Sequence, residues 1–100
     1  KPKRTVNPRL LKQVSKLPCL ACDRPGPSDA SHIRSRGAGG PDEEFNVVPH
    51  CRDCHIVWHR VGWQRFLEKY PIFALRLFNR GWIIDPILGL WHPNLRKDLT

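Results

Sequence analysis

The sequence contains no apolar run long enough to cross a membrane. No stretch approaches the roughly 18 uncharged apolar residues that a membrane-spanning helix needs. The N-terminus, Lys1-Pro2-Lys3-Arg4, is basic, but the apolar segment of a secretory signal peptide does not follow it. We therefore expect a cytoplasmic protein with no membrane partner, unless residues upstream of Lys1 have been removed.

Acidic residues are also scarce. The 100 residues include 9 acids against 17 lysines and arginines, which gives a net charge of +8. The first sixteen residues contain no acid and six cations, namely Lys1, Lys3, Arg4, Arg9, Lys12 and Lys16. A surface this basic attracts polyanions at a distance, so we expect nucleic acid as the partner, with residues 1–16 lying along its phosphates. The alternative is that these cations form a solubilising tail.

No internal repeat and no low-complexity linker divides the chain, so we assign residues 1–100 to one domain. Helical spacing of apolar residues predicts a helix over 8–16, with Asn7 as its cap and a proline in its first turn. Strands are predicted within 28–35 and 46–48, on either side of a loop rich in glycine and proline. The N-terminal half therefore indicates a mixed α+β fold.

The C-terminal half is predicted to be helical and then extended. Helices are expected over 52–60, 63–70 and 72–80, with a break at Gly62, and residues 82–100 are expected to be extended. In the third of these helices, four apolar residues are expected to face inward: Phe73, Leu75, Leu77 and Phe78. A small core is expected to contain the aromatic side chains of Trp58, Trp63, Phe66, Trp82 and Trp91, and stacking on nucleic-acid bases is the alternative for them. Residues 61–100 are therefore expected to form a helical and extended segment that packs against residues 19–60, which carry the candidate site.

The four cysteines form two close pairs, Cys19-x-x-Cys22 and Cys51-x-x-Cys54, with 28 residues between them. Each pair can present two thiolates to one tetrahedral ion, so the quartet predicts a structural zinc site. Two disulfides are the alternative, but they need an oxidising compartment that nothing in the sequence indicates. A redox dithiol is a further alternative, and it lacks the strand-helix context that would activate it.

Two histidines stand four residues apart on the helix predicted over 52–60. At that spacing His55 and His59 project from the same face and can share a metal ion. Because the four cysteines already complete a tetrahedral shell, the histidine pair is left for a second ion with open coordination positions. Imidazole and water ligation suits Mg²⁺, Mn²⁺, Ni²⁺ or Zn²⁺ to differing degrees.

The segment between residues 31 and 59 also carries an ordered motif. It contains Ser31-His32-Ile33, a Gly39-Gly40 loop, Asn46-Val47-Val48, Cys51-x-x-Cys54-His55 and His59. This pattern resembles the HNH endonuclease family, and the cysteine pairs resemble its zinc-bearing branch, which is common in phage and bacterial genomes. The interval of nine residues from Asn46 to His55, with the stretch 55–60, looks like the corresponding part of the nuclease colicins. The resemblance covers about residues 19–60.

The resemblance implies a small ββα-metal, treble-clef-like core with a four-cysteine zinc site and flanking helices. It also implies a metal-dependent endonuclease of a bacterial cell or a phage-infected host that hydrolyses phosphodiester bonds. We expect a monomer that acts on double-stranded DNA, while RNA and single strands stay open as substrates. His32 matches the general base, Asn46 the asparagine that holds the loop, and His55 and His59 the metal ligands. These residue types suit the reaction, since an imidazole can deprotonate water near neutral pH and a cation stabilises charge on the phosphate.

One position departs from the family. The residue before the general base is usually an Asp or His that also binds the metal, whereas this chain has Ser31, and a hydroxyl is a poor ligand. Asp29 is a nearby carboxylate that can complete the shell instead. Arg34 and Arg36 flank the motif and can bind a phosphate bidentately, or they can be solvated surface charges. The predicted nucleic-acid contacts are therefore Lys3, Arg4, Arg9, Lys12, Arg34 and Arg36.

Two other functions stay open. A zinc module that binds nucleic acid without cutting it would account for the charge and the cysteines, although it has no need for His32 or the histidine pair. A protein-binding zinc domain with a vestigial site is the other, and the charge argues against it. The remaining histidines, His50 and His92, are expected to pack or bond locally.

Overall fold

A computed structural model describes residues 4–95, so Lys1 and Lys3 of the predicted basic arm lie outside the described residues. This range is a small mixed α+β structure with three α-helices and two antiparallel sheets of two strands each. The elements are α1 (Pro8–Val14), β1 (Asp29–His32), β2 (Val47–His50), α2 (Arg52–Lys69), α3 (Pro71–Phe78), β3 (Ile83–Asp85) and β4 (Gly89–Trp91), with a short 3₁₀ helix over Arg36–Ala38. Within residues 4–95, no helix is both long and apolar enough to cross a membrane.

Helix α1 begins as the sequence predicts. The Asn7 side chain accepts a hydrogen bond from the Leu10 N–H at 3.1 Å, and Pro8 occupies the first turn, where its missing N–H costs nothing. Leu10 and Val14 are buried against Val47 of β2. The N-terminal helix therefore covers one face of the first hairpin.

Strands β1 and β2 pair antiparallel, with Asp29 opposite His50 and His32 opposite Val47. The first strand is shorter than the predicted 28–35. Beyond His32, the backbone of Arg34 is bound by the side chain of Asn46 instead of by a neighbouring strand. The ladder therefore ends where the loop begins, which places His32 at the end of the sheet.

Helix α2 contains the break that the sequence predicts. Gly62 has φ +83° and ψ +167°, a conformation that glycine adopts without steric cost, so the predicted helices 52–60 and 63–70 meet at this residue. At the other end of α2, Cys51 is the N-cap, and its Sγ accepts a hydrogen bond from the Cys54 N–H at 3.4 Å. The histidine pair thus stands on the first segment of α2, which begins in the cysteine cluster.

Helix α3 corrects part of the predicted core. Phe73 and Leu77 are fully buried, but Leu75 is 54% exposed and Phe78 is 65% exposed. Residues four apart share one face of a helix, so once Phe73 and Leu77 face the core, Leu75 and Phe78 point away from it. The prediction that all four residues face inward is wrong for these two.

The C-terminal segment contains a hairpin that the sequence pattern does not predict. Residues 83–91 form β3, a turn and β4 in place of the predicted extended segment. The Asp85 carboxylate accepts hydrogen bonds from the N–H groups of Ile87 and Leu88 at 2.7 and 2.8 Å, which closes the turn. Among the predicted core aromatics, Trp58, Phe66 and Trp82 are buried, whereas Trp63 and Trp91 are only partly buried. Residues 96–100 lie outside the described residues.

Candidate metal and catalytic site

The four cysteines form one cluster that can hold a single metal ion. All four sulfur atoms lie within 4.8 Å of one another, and the Sγ atoms of Cys22 and Cys51 are 3.7 Å apart. Four thiolates at a zinc–sulfur distance of about 2.3 Å in a tetrahedron stand about 3.8 Å apart, so the spacing fits this geometry. Cys19, Cys51 and Cys54 are buried and Cys22 is exposed.

The backbone brings the two cysteine pairs together. A tight turn carries the first pair, in which the Cys19 carbonyl accepts from the Asp23 N–H at 2.9 Å and Asp23 has φ +65°. The Leu20 N–H then donates to the Pro49 carbonyl at 2.8 Å, which fastens this turn to β2. The second pair lies at the start of α2, so the cluster joins the turn, the hairpin and the helix.

The thiol pKa values move in opposite directions within the cluster. Burial raises the pKa of Cys54 above its usual range, and the neighbouring sulfurs of Cys51 and Cys19 add to this. Burial acts in the same direction on Cys19, but backbone hydrogen bonds from Cys51, Cys22 and Ala21 lower its pKa to about 7. A cation bound by all four sulfurs would deprotonate the thiols, including the one whose pKa burial raises.

The predicted histidine pair converges. Nε2 of His55 lies 3.0 Å from Nε2 of His59, and the ring centroids are 4.7 Å apart. Two nitrogens bound to one ion at about 2.1 Å stand about 3.0 Å apart in octahedral and about 3.4 Å apart in tetrahedral coordination, so these side chains can serve as neighbouring ligands. His55 is half-buried and His59 is exposed, which leaves one side of the pair open to solvent.

Asp29 binds the other ring nitrogen of His55. Its Oδ2 lies 3.0 Å from Nδ1 of His55 and 3.1 Å from Nε of Arg52. This arrangement makes Asp29 an outer partner that orients the His55 ring, while the nitrogen beside His59 stays available. Ser31, the other candidate third ligand, is fully buried, and its hydroxyl has no hydrogen-bond partner within the described residues.

His32 bonds to a carboxylate that the sequence reading did not single out. Nε2 of His32 lies 2.7 Å from Oδ1 of the buried Asp42, and the His32 side chain is only 9% exposed. The same carboxylate accepts from Arg4 Nη1 at 2.6 Å and from the Asn7 N–H at 2.9 Å. Burial would raise the pKa of Asp42, but the hydrogen bonds from Asn7, His32 and Arg4 lower it to about 2. Asp42 belongs to no recognisable motif, and its partners Arg4 and Asn7 are 38 and 35 residues away.

Asn46 makes the cross-loop bonds that the sequence predicts. Its Oδ1 accepts from the Arg34 N–H at 2.8 Å, and its Nδ2 donates to the carbonyls of Arg34 at 3.1 Å and Pro41 at 2.9 Å. Gly40 lies inside this loop so tightly that a Cβ would stand 1.8 Å from the Arg34 carbonyl oxygen. The loop is therefore fixed at both ends.

The candidate base His32 and the His55–His59 pair lie on different sides of the hairpin. Strand residues alternate in direction. His32 therefore shares a face with Ala30 and Val47, which pack with α1, whereas Ser31 shares the face of Asp29, which turns toward α2. Among the described residues, no hydrogen bond joins His32 to the histidine pair. His55 contacts Asp29, which lies at the opposite end of the β1–β2 ladder from His32.

Three of the predicted phosphate contacts are exposed cations, namely Arg9 and Lys12 on α1 and Arg36 on the 3₁₀ helix, and none forms an ion pair within residues 4–95. Arg34 is half-buried, and its Nε donates to the Ala38 carbonyl at 3.1 Å. Arg4 binds Asp42 and the Gly40 carbonyl. Three of these cations are therefore exposed, whereas Arg34 and Arg4 bond within the protein.

The two remaining histidines differ in their bonding. His92 stacks on Phe45, and its ring nitrogens bond to the Arg80 carbonyl and the Asn94 N–H. His50 is fully buried, and neither of its ring nitrogens has a partner within the described residues. Burial, together with the neighbouring His55 and His59, lowers the pKa of His50 to about 3, so the ring is neutral.

Comparison of the chain with models of known protein families, with curated proteins and with solved structures finds no match.

Proposed function

We propose that this protein is a metal-dependent endonuclease of the HNH type that hydrolyses phosphodiester bonds in double-stranded DNA. The observation that carries the proposal is the 3.0 Å approach of Nε2 of His55 and Nε2 of His59, on the helix that directly follows the hairpin bearing His32. In this proposal β1, β2 and the start of α2 form the ββα-metal core. The sequence resemblance over residues 19–60 supports the same assignment.

The four cysteines hold a structural zinc in this proposal. The mutual approach of their sulfurs within 4.8 Å supports it, as does the absence of any disulfide among them. A saturated thiolate shell has no open position for substrate, so its contribution is to folding. It fixes the start of α2 relative to the hairpin.

The histidine pair holds the catalytic ion. The convergent nitrogens, the open side of the pair and the carboxylate behind His55 form a donor set that fits a divalent cation. A divalent ion bound there supplies charge stabilisation for the phosphate and the leaving oxygen. Asp29 keeps Nε2 of His55 directed at His59 while the substrate binds.

His32 removes the proton from the attacking water. Its position at the end of β1 lies beside the loop that Asn46 holds at both ends, so the imidazole is fixed relative to the strand. The exposed cations Arg9, Lys12 and Arg36 bind phosphates along the DNA backbone without reading its sequence. In this proposal the scissile phosphate lies between His32 and the histidine pair.

Incubating supercoiled plasmid with zinc-loaded protein and Mg²⁺, Mn²⁺, Ni²⁺ or Zn²⁺ in turn tests the proposal. We expect cleavage of the plasmid with at least one of these ions, and no cleavage when no divalent ion is added. His32→Ala should lower the rate by about 100- to 10,000-fold, the usual contribution of a general base, and should leave DNA binding unchanged. Gln64→Ala, an exposed polar residue of the second α2 segment, is the matched control and should cleave at the wild-type rate.

A zinc module that binds nucleic acid without cutting it is the second candidate. The observation that favours it is the low exposure of the His32 side chain, 9%, with one of its nitrogens bound to Asp42. This function predicts salt-dependent DNA binding, no cleavage with any of the four ions, and no effect of His59→Ala on affinity. The plasmid experiment therefore decides between the two candidates.

A further inference from the structure

Asp42 is a buried carboxylate whose hydrogen-bonding capacity is almost entirely used. Its Oδ1 accepts a hydrogen bond from Nη1 of Arg4 at 2.6 Å and lies 2.7 Å from Nε2 of His32. Its Oδ2 accepts a hydrogen bond from the Asn7 N–H at 2.9 Å. Its own N–H donates to the Thr5 carbonyl at 2.8 Å. A charged group buried this deeply is stable only because donors surround it.

The geometry restricts the protonation of His32. An ionised carboxylate only accepts hydrogen bonds, so at 2.7 Å the Nε2 atom of His32 must carry a proton. In a neutral imidazole the other nitrogen, Nδ1, then holds the lone pair. Nδ1 of His32 makes no hydrogen bond within the described residues. It is also absent from the buried polar atoms without a partner, so it is not sealed from solvent. It is therefore the nitrogen that can accept a proton from water.

We infer that Asp42 is the positioning residue of the general base: it holds His32 in the tautomer with hydrogen on Nε2, so that Nδ1 faces the attacking water. This inference rests on the proposed function in what it says about catalysis. The tautomer itself is a property of the folded protein and does not depend on cleavage.

The N-terminal segment is part of this arrangement. Arg4 and Asn7 supply two of the three donors to Asp42, and Thr5 accepts from its backbone. Arg4 also donates to the Gly40 carbonyl at 3.1 Å, so it joins the carboxylate to the loop that carries it. The low pKa of Asp42, about 2, keeps the carboxylate charged at any pH suitable for an assay. The residues that precede α1 therefore hold the Asp42 carboxylate in place, and this carboxylate in turn bonds to the general base.

A purely structural role for Asp42 makes a different prediction. If Asp42 only fastens the N-terminal segment to the loop, His32 need not favour either tautomer, and loss of Asp42 would affect stability alone. If Asp42 positions the base, its loss changes the protonation of one ring nitrogen and lowers kcat without weakening DNA binding. The two roles are therefore separated by the state of Nδ1.

Nitrogen-15 NMR of the imidazole rings tests the tautomer directly in the zinc-loaded full chain without DNA. At pH 8.5 we expect the His32 signals, assigned by their loss in His32→Gln, to show a protonated Nε2 and an unprotonated Nδ1. Asp42→Asn should reduce this preference, because an amide can present a donor to Nε2. Protonation of Nδ1 in the wild type would overturn the inference, whether or not the protein cleaves DNA.

The kinetic arm uses Asp42→Asn against a matched control. We expect kcat to fall by up to about 10⁴-fold, as when the carboxylate that holds a general-base histidine in its tautomer becomes an amide, with KM for plasmid unchanged. Asp85→Asn removes a carboxylate from the distant turn between β3 and β4, and it should keep the wild-type kcat and tautomer. Equal kcat for wild type and Asp42→Asn would overturn the positioning role.

Folding of the variant is checked independently. Arg4→Gln removes the cation from Asp42 but leaves the carboxylate beside His32, so the Nε2 proton should persist while stability falls. Loss of the tautomer preference in Arg4→Gln, with Asp42 intact and the protein folded, would show that the Asp42–His32 bond does not set it. If Asp42→Asn does not fold, the wild-type and Arg4→Gln spectra still decide the inference.

Discussion

The carboxylate of Asp29 and Nδ1 of His55 lie 3.0 Å apart, on the side of the imidazole away from His59. The Asp29 carboxylate fixes the orientation of the His55 ring and keeps the ring proton on Nδ1. We therefore expect Asp29 to strengthen metal binding at Nε2 of His55. Asp29→Asn should raise the half-maximal Mn²⁺ concentration for cleavage by about 10- to 100-fold. The rate at saturating Mn²⁺ should change less.

Glu68→Gln is the control for Asp29→Asn. It removes one exposed carboxylate from the second segment of α2, far along the helix from the histidine pair, and its Mn²⁺ midpoint should equal that of the wild type. If Asp29→Asn also has the wild-type midpoint, Asp29 does not act on the metal through His55.

The cysteine cluster should hold one zinc ion per chain. Cys22→Ser removes one of the four sulfurs and leaves a shell that cannot close, so we expect loss of zinc and loss of the folded state, since such sites contribute directly to folding. Elemental analysis and circular dichroism measure the two effects. A native protein with four titratable thiols and no metal, or one with two disulfides, would contradict this prediction.

Gly40 should not tolerate a side chain. A Cβ at this position would stand 1.8 Å from the Arg34 carbonyl oxygen and 2.9 Å from Nδ2 of Asn46. We expect Gly40→Ala to lower the free energy of unfolding by roughly 1–3 kcal/mol, as overpacking typically does, and to disturb the bonds of Asn46.

Gly37 offers the matched comparison in the same loop, because a Cβ there meets nothing within 4 Å. Gly37→Ala should change stability by less than about 0.5 kcal/mol. Urea unfolding of the two zinc-loaded variants measures the difference. Equal unfolding midpoints would mean that the loop adjusts to the added methyl group.

Replacement of His50 by an apolar residue should stabilise the protein. Its two ring nitrogens are buried without partners in the described structure, among Trp58, Phe66 and Phe73. His50→Leu removes this desolvation penalty, and we expect a gain on the order of 1 kcal/mol.

His92→Leu is the control for His50→Leu, because the same substitution at His92 removes two existing hydrogen bonds and should destabilise the protein. Both effects are measured as shifts in the urea midpoint. A lower midpoint for His50→Leu would indicate that the ring nitrogens of His50 do have partners in solution, such as a buried water molecule.

The sequence predicted those features that depend on nearby residues. The cap at Asn7, the break at Gly62 and the convergence of His55 with His59 follow from local chemistry or from short spacings along one helix. The cysteine cluster joins distant pairs, but each pair has the short spacing of a metal-binding motif, so the cluster was predictable from ligand chemistry. Asn46 was predictable as well, because its partners lie on its own loop.

Other features depend on contacts that the sequence does not reveal. The partners of Asp42 come from an N-terminal segment 35 and 38 residues away, and no spacing rule connects them. The exposure of Leu75 and Phe78 depends on which face of α3 meets the core. The roles of Asp29 and His50 depend on strand register, which places them opposite each other and beside α2.

Cys51 caps α2 and Cys54 lies in its first turn, and this position has a consequence for the order of metal binding. His55 directly follows the last cysteine, so the angle at which the helix leaves the cluster determines where the His55 and His59 rings point. Under the proposed function, the two metal ions bind in a fixed order: the ion held by the four sulfurs binds first, and the ion held by the histidine pair binds second. A chelator strong enough to extract the sulfur-bound ion would abolish binding at both sites, whereas a weak chelator would empty only the histidine pair and leave the fold intact.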